Sequence, residues 1–319
     1  MTYTRDYHNR EFEAFSRAEL ASGGPDPQVK IIAEAITRLG GSDVEKTWRA
    51  GAFISAYTCG AAAAIWAQLG WEDSSEMISA FLRMHGEYLP TRRERRTIWG
   101  ADRVKWTKNL VSWSALAARV AEWKDLAYPA LYDTISKNTT YFGRYATMKV
   151  IEVLHRAGVV AAGQTDIRPI GAKYPRRTLA WLFGYDIGTI DSDRNDDMAL
   201  ATVNAIAEDL KLKYAIESWF DFETLLCNYR QSLRGKYPGR SHDRELAHWR
   251  KAEPYWRPET QARWIPFYEI RAQLFPHEFL GEIGGWSGAR PELEAALTRR
   301  HKGVVQHDTL IKKEREHGA

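Results

Sequence analysis

Ser42-Asp43-Val44-Glu45 opens the stretch whose reading decides the fold. It continues through Trp48-Arg49-Ala50-Gly51-Ala52-Phe53-Ile54-Ser55-Ala56-Tyr57 and Ala61-Ala62-Ala63-Ala64 to Leu69. A serine followed three residues later by a glutamate, ahead of an apolar run, is the pattern of a capping box at a helix start. The alanine-rich run behind it predicts one long apolar helix reaching Leu69. Just upstream, Asp26-Pro27 starts an amphipathic run from Gln28 to Leu39 that Gly40-Gly41 stops. Two antiparallel neighbouring helices are the simplest packing for these segments.

The same signals recur outward along the chain. Asp73 with Glu76 reads as a second capping box, and further helices are predicted at about 74–86, 101–123, 130–157, 192–211, 216–233, 242–252, 260–273 and 290–301. Alternating stretches of strand type are scarce. Segments 159–191 and 234–241 are rich in Gly, Pro and Arg and read as ordered loops. No period of about 20–50 residues marks a solenoid. The expected fold is therefore all-α, a multi-helix globular arrangement with more than half its residues in helices. Residues 1–319 form one helical domain, or two lobes at about 1–158 and 159–305, and end in a charged tail, Lys312-Lys313-Glu314-Arg315-Glu316-His317.

A chain of 319 residues that is 44% hydrophobic and 27% charged can bury a sizeable core and is not of the disordered class. No segment reaches the roughly 18 apolar residues of a membrane span, and the first residues have no apolar signal core. A soluble protein with no membrane partner, in the cytoplasm, is expected. Cys59 and Cys227 are the two cysteines and fall in different predicted helices, which suits free thiols and excludes a disulfide framework or a cysteine-based zinc site. A net charge of +4 barely favours nucleic acid by itself. Thirteen Trp and fifteen Tyr are a large aromatic complement, often beside basic residues, as in Arg103-Val104-Lys105-Trp106 and Trp249-Arg250-Lys251. Such pairs suit stacking on bases or, more ordinarily, core filling with wet polar tips.

Four stretches, spanning about 48–246 in one order, carry a family resemblance. The first is Trp48 to Tyr57 with Ala64-Ile65-Trp66, and the second Arg92-Arg93-Glu94-Arg95-Arg96-Thr97. The third is Tyr141-Phe142-Gly143-Arg144-Tyr145-Ala146 followed by Asp166-Ile167-Arg168-Pro169. The fourth is Phe222-Glu223-Thr224-Leu225-Leu226-Cys227-Asn228-Tyr229, leading to Lys236-Tyr237-Pro238-Gly239-Arg240-Ser241-His242-Asp243-Arg244-Glu245-Leu246. Together they resemble the second clade of the α-glutamyl/putrescinyl thymine pyrophosphorylases, the phage amino acid:DNA transferases. The resemblance implies a helical fold distantly related to helix-hairpin-helix DNA glycosylases. It also implies action inside a bacterial host on double-stranded DNA carrying phosphorylated or pyrophosphorylated 5-hydroxymethyluracil, with an amino acid or polyamine displacing the leaving group. A Leu-Pro-Gly-Val-Gly hairpin is missing, and Leu154-His155-Arg156-Ala157-Gly158-Val159 is a loose echo of it. Two rival readings are a non-catalytic DNA-binding protein and a glycosylase-like base-excising enzyme.

The implied reaction needs a flipped base, cations for the leaving phosphate and a general base for the incoming ammonium. Arg92, Arg93, Arg95 and Arg96 are the densest cationic run and the candidates for DNA contact, or a solvated basic turn. Arg168, Arg176 and Arg177 are candidate phosphate-binding cations. Glu223 and Asp166 are the leading carboxylates. Glu223 and Cys227 lie four apart and share a helix face, with Tyr229 beyond them. A Cys227 thiolate adding to pyrimidine C6 is the sharper reading, and a small buried hydrophobe the plainer one. The expectation is that Asp166, Arg168, Glu223 and Cys227 border one pocket with Lys236, Tyr237, Arg240 and Asp243 at its rim. Asp191, Asp193, Asp196 and Asp197 could hold Mg²⁺, but Ser192-Asp193-Arg194-Asn195-Asp196-Asp197 reads better as a cap with an acidic first turn. The nine histidines show no zinc spacing, so no metal or other cofactor is expected.

Overall fold

In a computed structural model, the residues described are 5–21, 24–86, 89, 102–183, 197–233, 269, 270 and 273. Every regular element among them is a helix. In chain order these are α1 (Arg5–Ala21), α2 (Pro27–Leu39), α3 (Asp43–Ala56), α4 (Cys59–Gln68), α5 (Ser75–His85) and α6 (Arg103–Ala117), then α7 (Val120–Trp123), α8 (Tyr128–Asn138), α9 (Arg144–Arg156), α10 (Lys173–Phe183), α11 (Asp197–Lys213) and α12 (Trp219–Leu233). The all-α expectation holds. None of the described helices is long and apolar enough to cross a membrane. The helices predicted at 242–252, 260–273 and 290–301, segment 234–241 and the charged tail lie outside the described residues, apart from 269, 270 and 273.

The chain divides into two compact units, one holding α2–α9 and the other α1 with α10–α12. In the first, α3 is the central helix, packed against α2, α4, α6 and α9. Its capping box is formed as read: the Glu45 amide donates to Ser42 Oγ at 3.3 Å, and the Ser42 amide donates to Glu45 Oε2 at 2.7 Å. Gly51 is required by packing, because a Cβ there would lie 1.9 Å from the Trp113 indole on α6. That indole donates to the Thr47 carbonyl at 2.9 Å. Trp106, set beside Lys105, is also buried, and its indole donates to Ser55 Oγ at 2.9 Å. Its role is core packing rather than base stacking. Trp249 lies outside the described residues.

Several boundaries differ from the pattern-based reading. The long helix to Leu69 is two helices, because Tyr57 takes a left-handed conformation (φ 59°) and Thr58 caps α4 by accepting from the Ala61 amide. Ser74, not Asp73, caps α5, while Asp73 closes the preceding turn by accepting from the Gly70 amide at 2.6 Å. The helix predicted at 130–157 breaks into α8 and α9 around Tyr141, again left-handed at φ 62°. The echo at 154–159 is a helix stop. Gly158 (φ 72°) follows α9, with Val159 N–H donating to the Leu154 carbonyl and Gly158 N–H to the His155 carbonyl, a Schellman motif.

The second unit has its own core of Phe12, Ile167, Leu179, Leu182, Ala207, Phe222, Leu225, Leu226 and Tyr229 among others. Here α10 corrects the reading of 159–191 as loop. Pro175 sits in its first turn, where the first amides have no intrahelical acceptor and proline removes nothing. The helix α1 was not anticipated at all. Its core residues are Phe12 and Phe15, with Leu20 packed against the same core, in a helix otherwise rich in polar residues.

Candidate functional site

Helix α12 positions the leading candidates. Phe222, Leu225, Leu226 and Tyr229 are all fully buried and fix the rotation of the helix. Thr178 on α10 donates to the Leu226 carbonyl at 2.8 Å, and Asn228 donates to the Pro25 carbonyl at 2.9 Å. With the helix pinned on these sides, Glu223 is buried at 1% exposure and Cys227 is half-buried. The Cys227 thiol donates to Glu223 Oε1 at 3.8 Å, one helical turn away. The carboxylate gives the half-buried thiol a hydrogen-bond acceptor, whereas the thiolate that nucleophilic chemistry uses is favoured by a cation nearby.

Asp166 and Arg168 hold each other in the segment before α10. Asp166 Oδ1 accepts from the Arg168 amide at 2.6 Å, and the guanidinium Nε lies 3.9 Å from the same oxygen. Arg168 is left-handed at φ 43°. Between them Ile167 is fully buried in the core that also holds Leu225 and Leu226 of α12, so the segment and the helix share one packed unit. Arg176 is buried at 4% exposure and Arg177 is half-buried, both in α10, which packs on α12. Tyr229 is a core residue whose hydroxyl lies 3.1 Å from His8 Nδ1. Lys236, Tyr237, Arg240 and Asp243 at the expected rim, and Arg92, Arg93, Arg95 and Arg96, lie outside the described residues. So do Asp191, Asp193 and Asp196, whereas Asp197 begins α11. Among the described residues no group of three or more His, Cys, Asp or Glu side chains could hold a metal.

The sequence reading missed a second buried polar cluster, in the other unit. On α9, Lys149 Nζ donates to Glu152 Oε2 at 2.7 Å with both side chains at 2% exposure or less. Arg156 reaches the other oxygen of Glu152 at 3.1 Å. Lys149 also lies 5.9 Å from the centre of the Tyr145 ring, whose hydroxyl is 2.8 Å from that of Tyr57. Tyr57 ends the first motif and Tyr145 belongs to the third, so this cluster is where those two motifs meet. Its signal was the spacing Tyr145, Lys149, Glu152, Arg156, which places all four along one helix face.

Fold and site together describe an all-helical protein with a thiol–carboxylate pair on one packed helix. Residues 100–237 match the family model described as amino acid:DNA transferase, which supports the family that the four motifs resemble. The matched stretch runs from α6 through α12 and includes both Glu152 and the Glu223–Cys227 pair. No curated protein and no solved structure gives a significant match to the chain.

Proposed function

We propose that the protein transfers the amine of an amino acid or polyamine onto the 5-methylene of phosphorylated or pyrophosphorylated 5-hydroxymethyluracil in phage DNA, in the cytoplasm of a bacterial host. The observation that carries the reading is the contact between Cys227 and Glu223 inside the matched stretch. In this reading the target base leaves the stack, nearby arginine or lysine cations favour the Cys227 thiolate, and Glu223 accepts the thiol proton. The thiolate adds to C6, and the electron pair released at C5 expels the phosphate or pyrophosphate from the methylene carbon, leaving an exocyclic methylene. The deprotonated amine adds to that methylene, and the returning electron pair expels the thiolate from C6 to restore the C5–C6 double bond. Asp166 serves as the base for the incoming ammonium, Arg168, Arg176 and Arg177 offset the leaving charge, and Arg92, Arg93, Arg95 and Arg96 hold the DNA backbone. Lys236, Tyr237, Arg240 and Asp243 complete the substrate surround. The scheme uses no cofactor, and Mg²⁺ on the leaving phosphate is a variant of it that chelation tests.

The test is mass spectrometry of nucleosides from phosphorylated 5-hydroxymethyluracil DNA incubated with the protein and a panel of amino acids and polyamines. A thymine base carrying the mass of one added amine less two hydrogens is expected in place of the phosphorylated base. Glu223→Gln lowers that transfer by about 10²–10⁴-fold while DNA binding persists. Free base released in place of the adduct points to glycosylase chemistry, and bound but unaltered DNA to a binding protein.

A further inference from the structure

An apolar side chain stands out into solvent two residues beyond the Asp166–Arg168 pair: Ile170, at 56% exposure. It is held at the apex of a tight turn. The Ala172 amide donates to the Pro169 carbonyl at 3.0 Å, and Gly171 takes φ 71°, the geometry of a type II turn with Ile170 in its second position. A Cβ at Gly171 would meet no neighbouring atom, so the glycine serves the positive φ and not a close approach. The two ends of the turn, Pro169 and Ala172, are buried, and so is Ile167 just before it. The apex is therefore an exposed isoleucine on an anchored base, at a place where turns favour polar residues and glycine.

The surround of this tip is cationic. From Ile167 to Phe183 the chain carries Arg168, Lys173, Arg176 and Arg177 and no acidic residue. Helix α10 starts at Lys173, so the positive end of its dipole adjoins the turn. An apolar tip among cations fits a nucleic-acid duplex, where the cations take the phosphates and the tip enters between bases. One protruding isoleucine is far short of the apolar area that seats a chain on another protein or on lipid. We propose that Ile170 is the wedge that enters the base stack as the target base leaves it, filling the vacated space and holding the pair open. Ile170 is a positioning residue, acting on the neighbouring base pairs and not on the reacting methylene. The proposal rests on the reading that the target base leaves the stack, and it assigns the group that holds it out.

Duplex opening, read with no amine present, tests the wedge apart from the transfer. A duplex carrying phosphorylated 5-hydroxymethyluracil with 2-aminopurine as its 3′ neighbour reports loss of stacking as a rise in fluorescence. The parent protein gives that rise on a matched duplex. Ile170→Ala lowers the opening equilibrium at least about tenfold at saturating protein, while Ile170→Leu keeps it near the parent. Placing the target base in a mismatch restores Ile170→Ala to within about twofold of the parent, because a mispaired base costs less to unstack. Leu212→Ala, which removes a 69% exposed apolar side chain elsewhere in the same unit, changes nothing. The proposal is overturned by a parent that does not open the duplex, by an Ile170→Ala variant that opens it as well as the parent, or by a loss that the mismatch fails to restore. A parent that opens the duplex but transfers no amine would sink the proposed function and leave the wedge standing. Transfer by the parent, with opening that Ile170→Ala leaves unchanged, would do the reverse.

Discussion

Glu152 and Glu223 are both buried glutamates on packed helices, and they differ in the contacts seen around them. Glu152 is clasped by Lys149 at 2.7 Å and Arg156 at 3.1 Å, so its charge is matched on α9 itself. Glu223 takes a hydrogen bond from a thiol that reaches the surface. A carboxylate clasped by two cations on its own helix is tied into the packing there. One bonded to a half-buried thiol sits beside a group that a reagent can reach. Burial of an acid does not identify a site; the chemical character of its nearest neighbour does.

The sharpest way to break this contrast is to remove Lys149. Lys149→Met leaves Glu152 buried with one cation fewer and should lower unfolding stability by about 3–5 kcal/mol, measured by denaturant titration. Lys149→Met combined with Glu152→Leu should recover most of that loss, because the uncompensated charge is gone. A single variant that is as stable as the parent would show that the pair is not structural, and would move α9 into consideration as a reactive site.

A smaller effect sharpens the other half. Cys227 is half-buried and Cys59 is at 1% exposure, so N-ethylmaleimide should modify Cys227 at least about tenfold faster in the native protein, read by peptide mapping. Glu223→Gln should raise that rate, since losing the neighbouring negative charge favours the thiolate. Equal rates at the two cysteines would return Cys227 to the status of a packing residue.

These contrasts were unevenly legible in the sequence. The capping box at Ser42 and the four-residue spacing of Glu223 and Cys227 are local patterns, and both appear in the structure as read. The breaks at Tyr57 and Tyr141 were not legible, because left-handed tyrosines carry no composition signal and depend on tertiary packing. Helix α10 was hidden by Pro175, which reads as a breaker anywhere but in a first turn. The Lys149–Glu152–Arg156 cluster was hidden by the habit of assigning charged residues to solvent, although the apolar face of α9 is so broad that Thr147 to Leu154 are all buried. The joining of Ile167 to the α12 core is a contact across more than fifty residues that no periodicity encodes.

The smallest expected effect concerns a third glutamate, half-exposed where the other two are buried. Glu45 accepts from the Ser42 amide at 2.7 Å and the Ser42 hydroxyl at 3.0 Å, and these bonds, with Arg49 nearby, hold its carboxyl below the usual value of 4.5. A carboxylate whose folded value is depressed adds stability that is present above its unfolded value and lost as pH falls through the folded one. Ser42→Ala removes the hydroxyl that both caps the Glu45 amide and supports this carboxylate, and should cost about 1 kcal/mol at pH 7. The backbone part of that cost does not depend on pH, whereas the hydroxyl–carboxylate part disappears once Glu45 is protonated. Denaturant unfolding of parent and variant at pH 7 and again below pH 4 should therefore give a gap that narrows in acid without closing. A gap of equal size at both pH values would mean that the carboxylate adds nothing beyond the backbone cap, and that the half-exposed glutamate, unlike its two buried counterparts, is held without consequence.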